Sequence, residues 1–527
     1  MCRNARQASP RGFETESSFF FPHALDEKEH RVSLVEGQAS TSVAHAWDSL
    51  YNRYCLGRFS TLTTRLKKVW GLWLAVHILT GCGSYLPSHV PFVQPVQEDE
   101  EVKISREFRK EAKKRLKFVS NFEVQRYVES VGRRILSVMG PQPFDYRYFV
   151  VEDSELNAFA VPGGSIYLYT GLLDRVKSTA ELASVMGHET IHVKNRHMAR
   201  MSGLDPVSLL GLLGVVLAAR SGAGAQAAGA VGQAIAATRQ IAYTRQLEME
   251  ADTLGLKYMA EAGYDPQGAL SFLKALDQER ILNPVDIPPY LMDHPLTQER
   301  VANVELLIRS MKPDRPGVEA ADPIKKIQTV VRLERYESDA VIAEQKKLLS
   351  QSPKDAGPSQ LLGLAYYSKG MWPEARQDLE RARALNPQSP GIDRDLGQLY
   401  RRIGEYRLAH EAFARALSVE PKEPLNYLFL GELFEQESKF PEAAGAYLNA
   451  LNLAPLWLEA PRHLGIVYGK LNRLGDAYYY LGRSDLLDDE DGKAVANFER
   501  ALKIFGPLSP RGQIIKEEME TIKARRR

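Results

Sequence analysis

An α+β domain, mostly helical with a small sheet, followed by an all-α solenoid of stacked helix pairs, is the fold class this sequence predicts. Three observations predict it. Phe144 to Val151 and Ser165 to Tyr169 are dense in aromatic and β-branched residues and read as strands. Around them, from about Ile104 and again from about Thr179 to Gly263, the pattern is helical. Beyond residue 323 the sequence repeats itself at a fixed interval.

The 527 residues suit about three domains, and 68 Lys and Arg against 66 Asp and Glu leave a net charge of +2. No Lys/Arg block is long enough to propose nucleic acid as a partner. The three cysteines, Cys2, Cys55 and Cys82, give neither a disulfide framework nor a Cys-based metal site.

At the front, Arg65, Lys67 and Lys68 precede an apolar run, Val69 to Leu79, that is too short to span a bilayer comfortably and ends in Leu79-Thr80-Gly81-Cys82. Residues 62–82 resemble a bacterial lipoprotein signal in which Cys82 is lipidated and becomes the mature N-terminus; the alternative is a buried or amphipathic helix with an incidental cysteine. A signal belongs at the start of a chain. Residues 1–61 are therefore expected to be an upstream, disordered extension, with translation beginning near Leu62 or Leu66. Residues 83–103, rich in Pro and polar side chains, read as a linker from membrane to domain.

Residues 104–310 form the expected first domain. Within it Val207 to Ala219 is almost wholly apolar and Ser221 to Ala237 is rich in Gly and Ala. They read as a buried or site-covering helix pair in preference to a membrane hairpin, because thirteen residues are short for a span. Residues 311–323, "MKPDRPGVEAADP", read as a second linker.

From 324 to 527 the repeat dominates. Gly363, Gly397, Gly431 and Gly465 are spaced by 34 (397 − 363 for the first pair), as are Ala375, Ala409, Ala443 and Ala477, and Pro353, Pro387, Pro421 and Pro455. Tyr366, Tyr400, Phe434 and Tyr468 follow in the first helix of each unit, and Leu379, Phe413, Tyr447 and Leu481 in the second. Small residues permit close helix crossing, large ones fill the gap, and Pro ends the unit. This is the tetratricopeptide (TPR) period, and a stacked array of that kind makes a concave groove for protein clients.

The chemistry is carried by "HETIH". His188 and His192 are four apart, so on a helix they lie about 40° from each other on one face and can reach one ion. Glu189 points beside that face, where it can take a proton from water on the metal. An exposed helix with a chance match is the plain alternative. A catalytic zinc needs a third protein ligand, and "RQLEMEADTLGLKYM" supplies a candidate. Glu248 and Asp252 share a face, while Glu250 points roughly 200° from Glu248. Glu248 can reach the metal and Asp252 can hold the free ring nitrogen of a ligand histidine; a solvated acidic helix is the alternative.

His188-Glu189-x-x-His192 followed by Glu248-x-x-Ala251-Asp252 resembles the metallopeptidases that include the Ste-type CAAX prenyl endopeptidases and HtpX, and most closely the soluble periplasmic type that joins such a peptidase to C-terminal TPRs. The resemblance covers roughly Ile104 to the C-terminus. It implies a zincin-like (gluzincin) fold, one zinc per chain, His188, His192 and Glu248 as ligands, and Glu189 as general base. It places Asn157-Ala158-Phe159 before the Pro162-Gly163-Gly164 turn on an edge strand that pairs with extended substrate. It also singles out His294, Pro295 and Arg300; His294 is expected to fill the fourth zinc position at rest, and with Arg300 to stabilise the oxyanion when it leaves. His197, the extra histidine, is expected on the surface.

The expected function is thus a zinc metalloendopeptidase, lipid-anchored in the bacterial periplasm and at the outer membrane in preference to the inner, with outer-membrane proteins as clients and the barrel-assembly machinery as partner. The rival is a TPR chaperone or scaffold with a latent peptidase domain. A polytopic membrane protease is disfavoured by the lack of a convincing span after Cys82.

Overall fold

The computed structural model describes residues 97–200, 245–282, 287–311 and 322–526. The expected extension, signal, Cys82 and apolar helix pair at 207–237 lie outside the described residues. No described helix is long and apolar enough to cross a membrane.

The first helix, Glu98–Arg115, begins six residues before Ile104 (104 − 98), so residues 98–103 are helix and not linker. Its charges explain the early start. Glu98, Asp99, Glu100 and Glu101 fill the first turn and Lys113, Lys114 and Arg115 the last, each sign opposite to the helix dipole it meets. Helix Phe122–Leu136 is capped by Asn121, whose side chain accepts from the amides of Glu123 and Val124, and it buries Val124, Val128, Val131 and Ile135 along one stripe.

Three strands follow: β1 (Arg147–Val151), β2 (Ala158–Val161) and β3 (Ser165–Tyr169), in the order β1-β3-β2. β3 is central, parallel to β1 and antiparallel to β2, and all five of its residues are buried. The β2–β3 turn needs its glycines. Gly163 and Gly164 take φ +86° and +104°, and a side chain on Gly163 would collide with the Glu101 carbonyl of the first helix.

Helix Thr179–Lys194 carries the two histidines four apart, is capped by Ser178, and is buried along nearly its whole length. It crosses helix Arg245–Glu261 at Gly187 and Gly255. A Cβ on Gly255 would come within 2.9 Å of the His188 amide nitrogen, so no larger residue permits this approach. That closeness sets the acidic side chains of one helix against the imidazoles of the other.

Helix Ile324–Glu334, counted with the repeats by sequence, instead completes the first domain. Ile324, Ile327, Val330 and Val331 are buried in one core with Val128, Leu172, Leu173 and Val176, and Gln328 donates to the carbonyls of Leu173 (2.7 Å) and Val176 (2.8 Å). Asp322, inside the expected second linker, accepts from the Thr179 amide at 2.7 Å and the Ile324 amide at 3.0 Å. Burying four aliphatic side chains contributes roughly 6–12 kcal/mol, comparable to the whole net stability of a domain, about 5–15 kcal/mol. Deleting Ile324 to Arg527 is therefore expected to abolish the cooperative thermal melt of the peptidase part, whereas deleting from Ser338 onward retains it; circular dichroism on both fragments distinguishes them.

The repeats are helix pairs: Ala356–Ser368 with Trp372–Leu385, Pro390–Arg402 with Tyr406–Val419, Pro424–Gln436 with Phe440–Leu453, and Glu459–Lys470 with Leu474–Leu487. Helix Ser338–Gln351 precedes them, and Asp491–Phe505 and Pro510–Arg526 follow. The period has a direct steric cause: Gly397 lies against the Phe413 ring and Gly431 against the Tyr447 ring, so the small residue of one helix seats the large residue of the next.

The array is packed against the first domain. Arg109 grips Asp489 through two bonds (2.6 and 2.7 Å), Lys113 reaches Asp488 (2.6 Å), and Arg106 reaches Asp491 (3.4 Å). At the other contact Lys326 lies between Glu123 and Asp395, Arg126 pairs with Glu423, and the Phe122 ring meets Trp457 edge-on. The two parts are thus not independent cores on a free tether.

Candidate metal centre

One donor atom from each of His188, His192, Glu248 and His294 lies within 4.8 Å of the others, and all four residues are buried. His188 Nε2 is 3.0 Å from His192 Nε2, 3.2 Å from His294 Nδ1 and 3.5 Å from a Glu248 oxygen. His294 Nδ1 is 3.1 Å from Glu248 Oε1, and His192 Nε2 is 3.5 Å from it. A tetrahedral zinc with bonds of about 2.0–2.1 Å separates its ligand atoms by about 3.3 Å, so these spacings fit one ion. Chemistry agrees with distance. His188 Nδ1 lies 2.9 Å from Asp252 Oδ1, which fixes its proton there and leaves Nε2 as a lone pair aimed at other ring nitrogens. A single proton can bridge only two of these donors, whereas one Lewis acid satisfies all four.

Electrostatics separate the donors. For Glu248, burial opposes the charge, but His294 and His188 outweigh it and hold the carboxyl well below its usual range. Burial likewise opposes the charge of His188, yet Glu248 and Asp252 push it up to about 10, while burial and the neighbouring His188 take His192 well below the usual imidazole value. These directions belong to the protein groups alone; a dication instead makes neutral every imidazole it binds.

Glu189 is fully buried, and burial raises its pKa. Its Oε1 is 3.4 Å from His294 Nε2. Asp252 is held by Arg300, whose Nε and Nη2 donate to it at 2.7 and 2.9 Å. Arg300 Nη1 lies 2.7 Å from Glu248 Oε2 and donates to the Pro295 carbonyl at 3.0 Å. The guanidinium of Arg300 is buried and paired with both carboxylates, so in this arrangement it braces the donor set, and the expected oxyanion role would act from that position.

On β2, one of the two outer strands, Ala158 pairs with Leu168 and Phe159 with Tyr167, and the Phe159 ring stacks on Tyr167 (4.9 Å, 13°). The Phe159 side chain thus belongs to the core face, and only the strand edge remains for an extended peptide. Asn157 is buried, its carbonyl accepts from the Tyr169 amide, and its side-chain oxygen and nitrogen have no hydrogen-bond partner among the described residues.

Two residues near the centre escaped the sequence reading. His197, expected on the surface, is fully buried, with Nδ1 2.9 Å from His192 Nδ1. The left-handed Arg196 (φ +54°) breaks the helix and turns the short helix His197–Arg200 back beneath it. Tyr290 is buried with its ring 4.9 Å from His294; its amide donates to the Leu156 carbonyl, and its carbonyl accepts from the His294 amide. The spacing of His197 after His192 was a usable signal; nothing in the sequence marked Tyr290.

Residues 123–308 match Peptidase family M48, and residues 394–455 match the tetratricopeptide repeat family. The chain is 36% identical over 194 residues to the Beta-barrel assembly-enhancing protease of Escherichia coli, covering 36% of this chain and 39% of that one. It is 32% identical over 193 residues to the protein of the same name in Yersinia pestis, covering 36% and 39%. To the Mitochondrial metalloendopeptidase OMA1 of Arabidopsis thaliana it is 33% identical over 183 residues, covering 33% and 36%. The chain thus aligns with less than half the length of these relatives. With its two histidines, its distant glutamate and its helix-pair array in place, the chain carries a peptidase family M48 domain followed by tetratricopeptide repeats.

Proposed function

We propose that this chain is a zinc metalloendopeptidase that uses its TPR array to engage protein clients, with 98–334 as the peptidase unit and 338–526 as the array. The observation that carries the reading is the buried tetrahedron of His188, His192, Glu248 and His294 with the Glu189 carboxyl beside it. Zinc supplies a Lewis acid that acidifies water and polarises a scissile carbonyl. Glu189, its pKa raised by burial, takes a proton and returns it to the leaving amine. Arg300 and Asp252 keep Glu248 and His188 in place, and the outer edge of β2 at Ala158-Phe159, with Asn157 just before it, aligns an extended substrate. The name shared by the bacterial relatives supports a role in β-barrel assembly; to this reading we add outer-membrane proteins as clients, their assembly machinery as partner, a periplasmic location and Cys82 as the lipid anchor, the last from the signal-like run at 62–82.

Metal analysis tests the ligand set. Glu248→Ala is expected to weaken zinc by more than about 100-fold, since outer-shell changes alone cost 10–100-fold. Glu250→Ala, whose carboxylate accepts from Asn195 at 2.6 Å, stays within about tenfold. Equal losses would mean that the wrong carboxylate has been assigned.

A second reading, a scaffold with a latent peptidase, is favoured by one feature. Four protein donors fill the tetrahedron, whereas a catalytic zinc keeps one position open. His294 follows from a short helix and precedes Pro295, so it is the donor on a loop and the one able to withdraw. His294→Ala is expected to retain zinc on the other three ligands and to cleave casein faster than wild type. An unchanged rate would remove the gating role.

A further inference from the structure

The two histidines of the "HETIH" motif meet different groups at the ring nitrogens that face away from the donor set. His188 is held by Asp252. His192 points Nε2 into the donor set, 3.0 Å from His188 Nε2, so a metal held there requires its proton on Nδ1. That Nδ1 faces Nδ1 of His197 at 2.9 Å, with the two rings edge to face at 4.9 Å and 82°. His197 must then accept at Nδ1 and carry its own proton on Nε2, the nitrogen that lies 3.5 Å from Glu250 Oε2.

The surroundings are built to hold this order. Asn195 Nδ2 donates to the other Glu250 oxygen at 2.6 Å, which turns the carboxylate toward His197. Arg196, in the left-handed conformation that swings His197 back, is anchored to the buried Glu101. Glu250 and Asp252 leave the same helix two residues apart, so one helix holds His188 directly and sets a carboxylate beside the imidazole that faces His192.

We propose that His197 is a positioning residue that fixes the tautomer and ring plane of His192, with the Glu250 carboxylate facing its other ring nitrogen. The inference rests on the zinc reading above. A neutral imidazole accepts less strongly than a carboxylate, so His192 is the weaker donor of the pair, and its hold on the metal depends on His197 being present.

The test is zinc affinity by chelator competition on the full chain, with thermal melting of each metal-free protein. His197→Phe keeps the ring volume and removes the acceptor; it is expected to weaken zinc about 10–100-fold. His197→Asn places an amide oxygen near the position of Nδ1 and is expected to recover most of that loss. A purely structural residue would instead lower the melting temperature and leave affinity unchanged. Wild-type affinity in His197→Phe, or an equal loss in His197→Asn, overturns the proposal. Nitrogen NMR of the zinc-loaded wild type needs no variant: it should find the proton of His197 on Nε2, and a proton on Nδ1 overturns the proposal. A wild-type chain that binds no zinc would sink the zinc reading itself, and is distinguishable from these results.

Discussion

Glu189→Gln is expected to lower casein cleavage by about 10²–10⁴-fold, the range that a positioned general base contributes, while zinc content and melting temperature stay near wild type. The retained metal follows from geometry. Glu189 is not one of the four converging donors; it lies beyond them, 3.4 Å from the far nitrogen of His294. The retained stability follows from burial: its carboxyl is wholly enclosed and its pKa is raised, so a neutral amide of equal size removes a charge that the site already disfavours. The same variant separates the two readings of function. A protease loses its cellular phenotype with Glu189, whereas a scaffold keeps it. Loss of zinc in this variant would mean that Glu189 is itself a ligand.

What the sequence could convey was what depends on spacing along one element. The faces of His188, His192, Glu248 and Asp252 follow from helical geometry alone, and the array follows from a period repeated four times over. What it could not convey was decided where elements meet. The crossing that joins the two site helices depends on Gly187 and Gly255 facing each other, and neither glycine is distinguishable in sequence from a helix breaker. His197 continues the histidine face on paper, but Arg196 interrupts the helix before it, so its burial depends on one residue's left-handed backbone. The pairing of Arg300 with Asp252 and Glu248 is not visible in sequence, because those carboxylates lie about fifty residues earlier in the chain. Helix Ile324–Glu334 was given to the repeats because a linker-like composition precedes it, yet its apolar stripe fits the peptidase core.

The contact between the last repeats and the first helix was equally hidden, and it supports the second large effect. Arg109→Ala is expected to destabilise the folded chain by about 3–5 kcal/mol, as removal of one partner of a buried ion pair does. Arg109 and Asp489 are 6% and 4% exposed, so neither can turn to water when the other is lost. Arg109 also donates to the hydroxyls of Ser105 and Ser165, the latter opening β3, and so ties the acidic loop to the sheet. Arg147, 3.5 Å from Asp489, remains as a weaker partner and moves the expectation toward the lower end. Replacing both residues, Arg109→Met with Asp489→Leu, should cost much less, because no buried charge is then left alone. The pH dependence has a definite sign. Burial opposes the charge of Asp489, but Arg109 outweighs it and lowers the folded pKa. The pair's stabilisation is therefore complete above the unfolded value of about 3.9 and is lost as pH falls through the lower folded value. Urea unfolding of the two single variants and the double variant at neutral pH measures the coupling; additive losses would show that the acidic loop rests on the helix without being held by it.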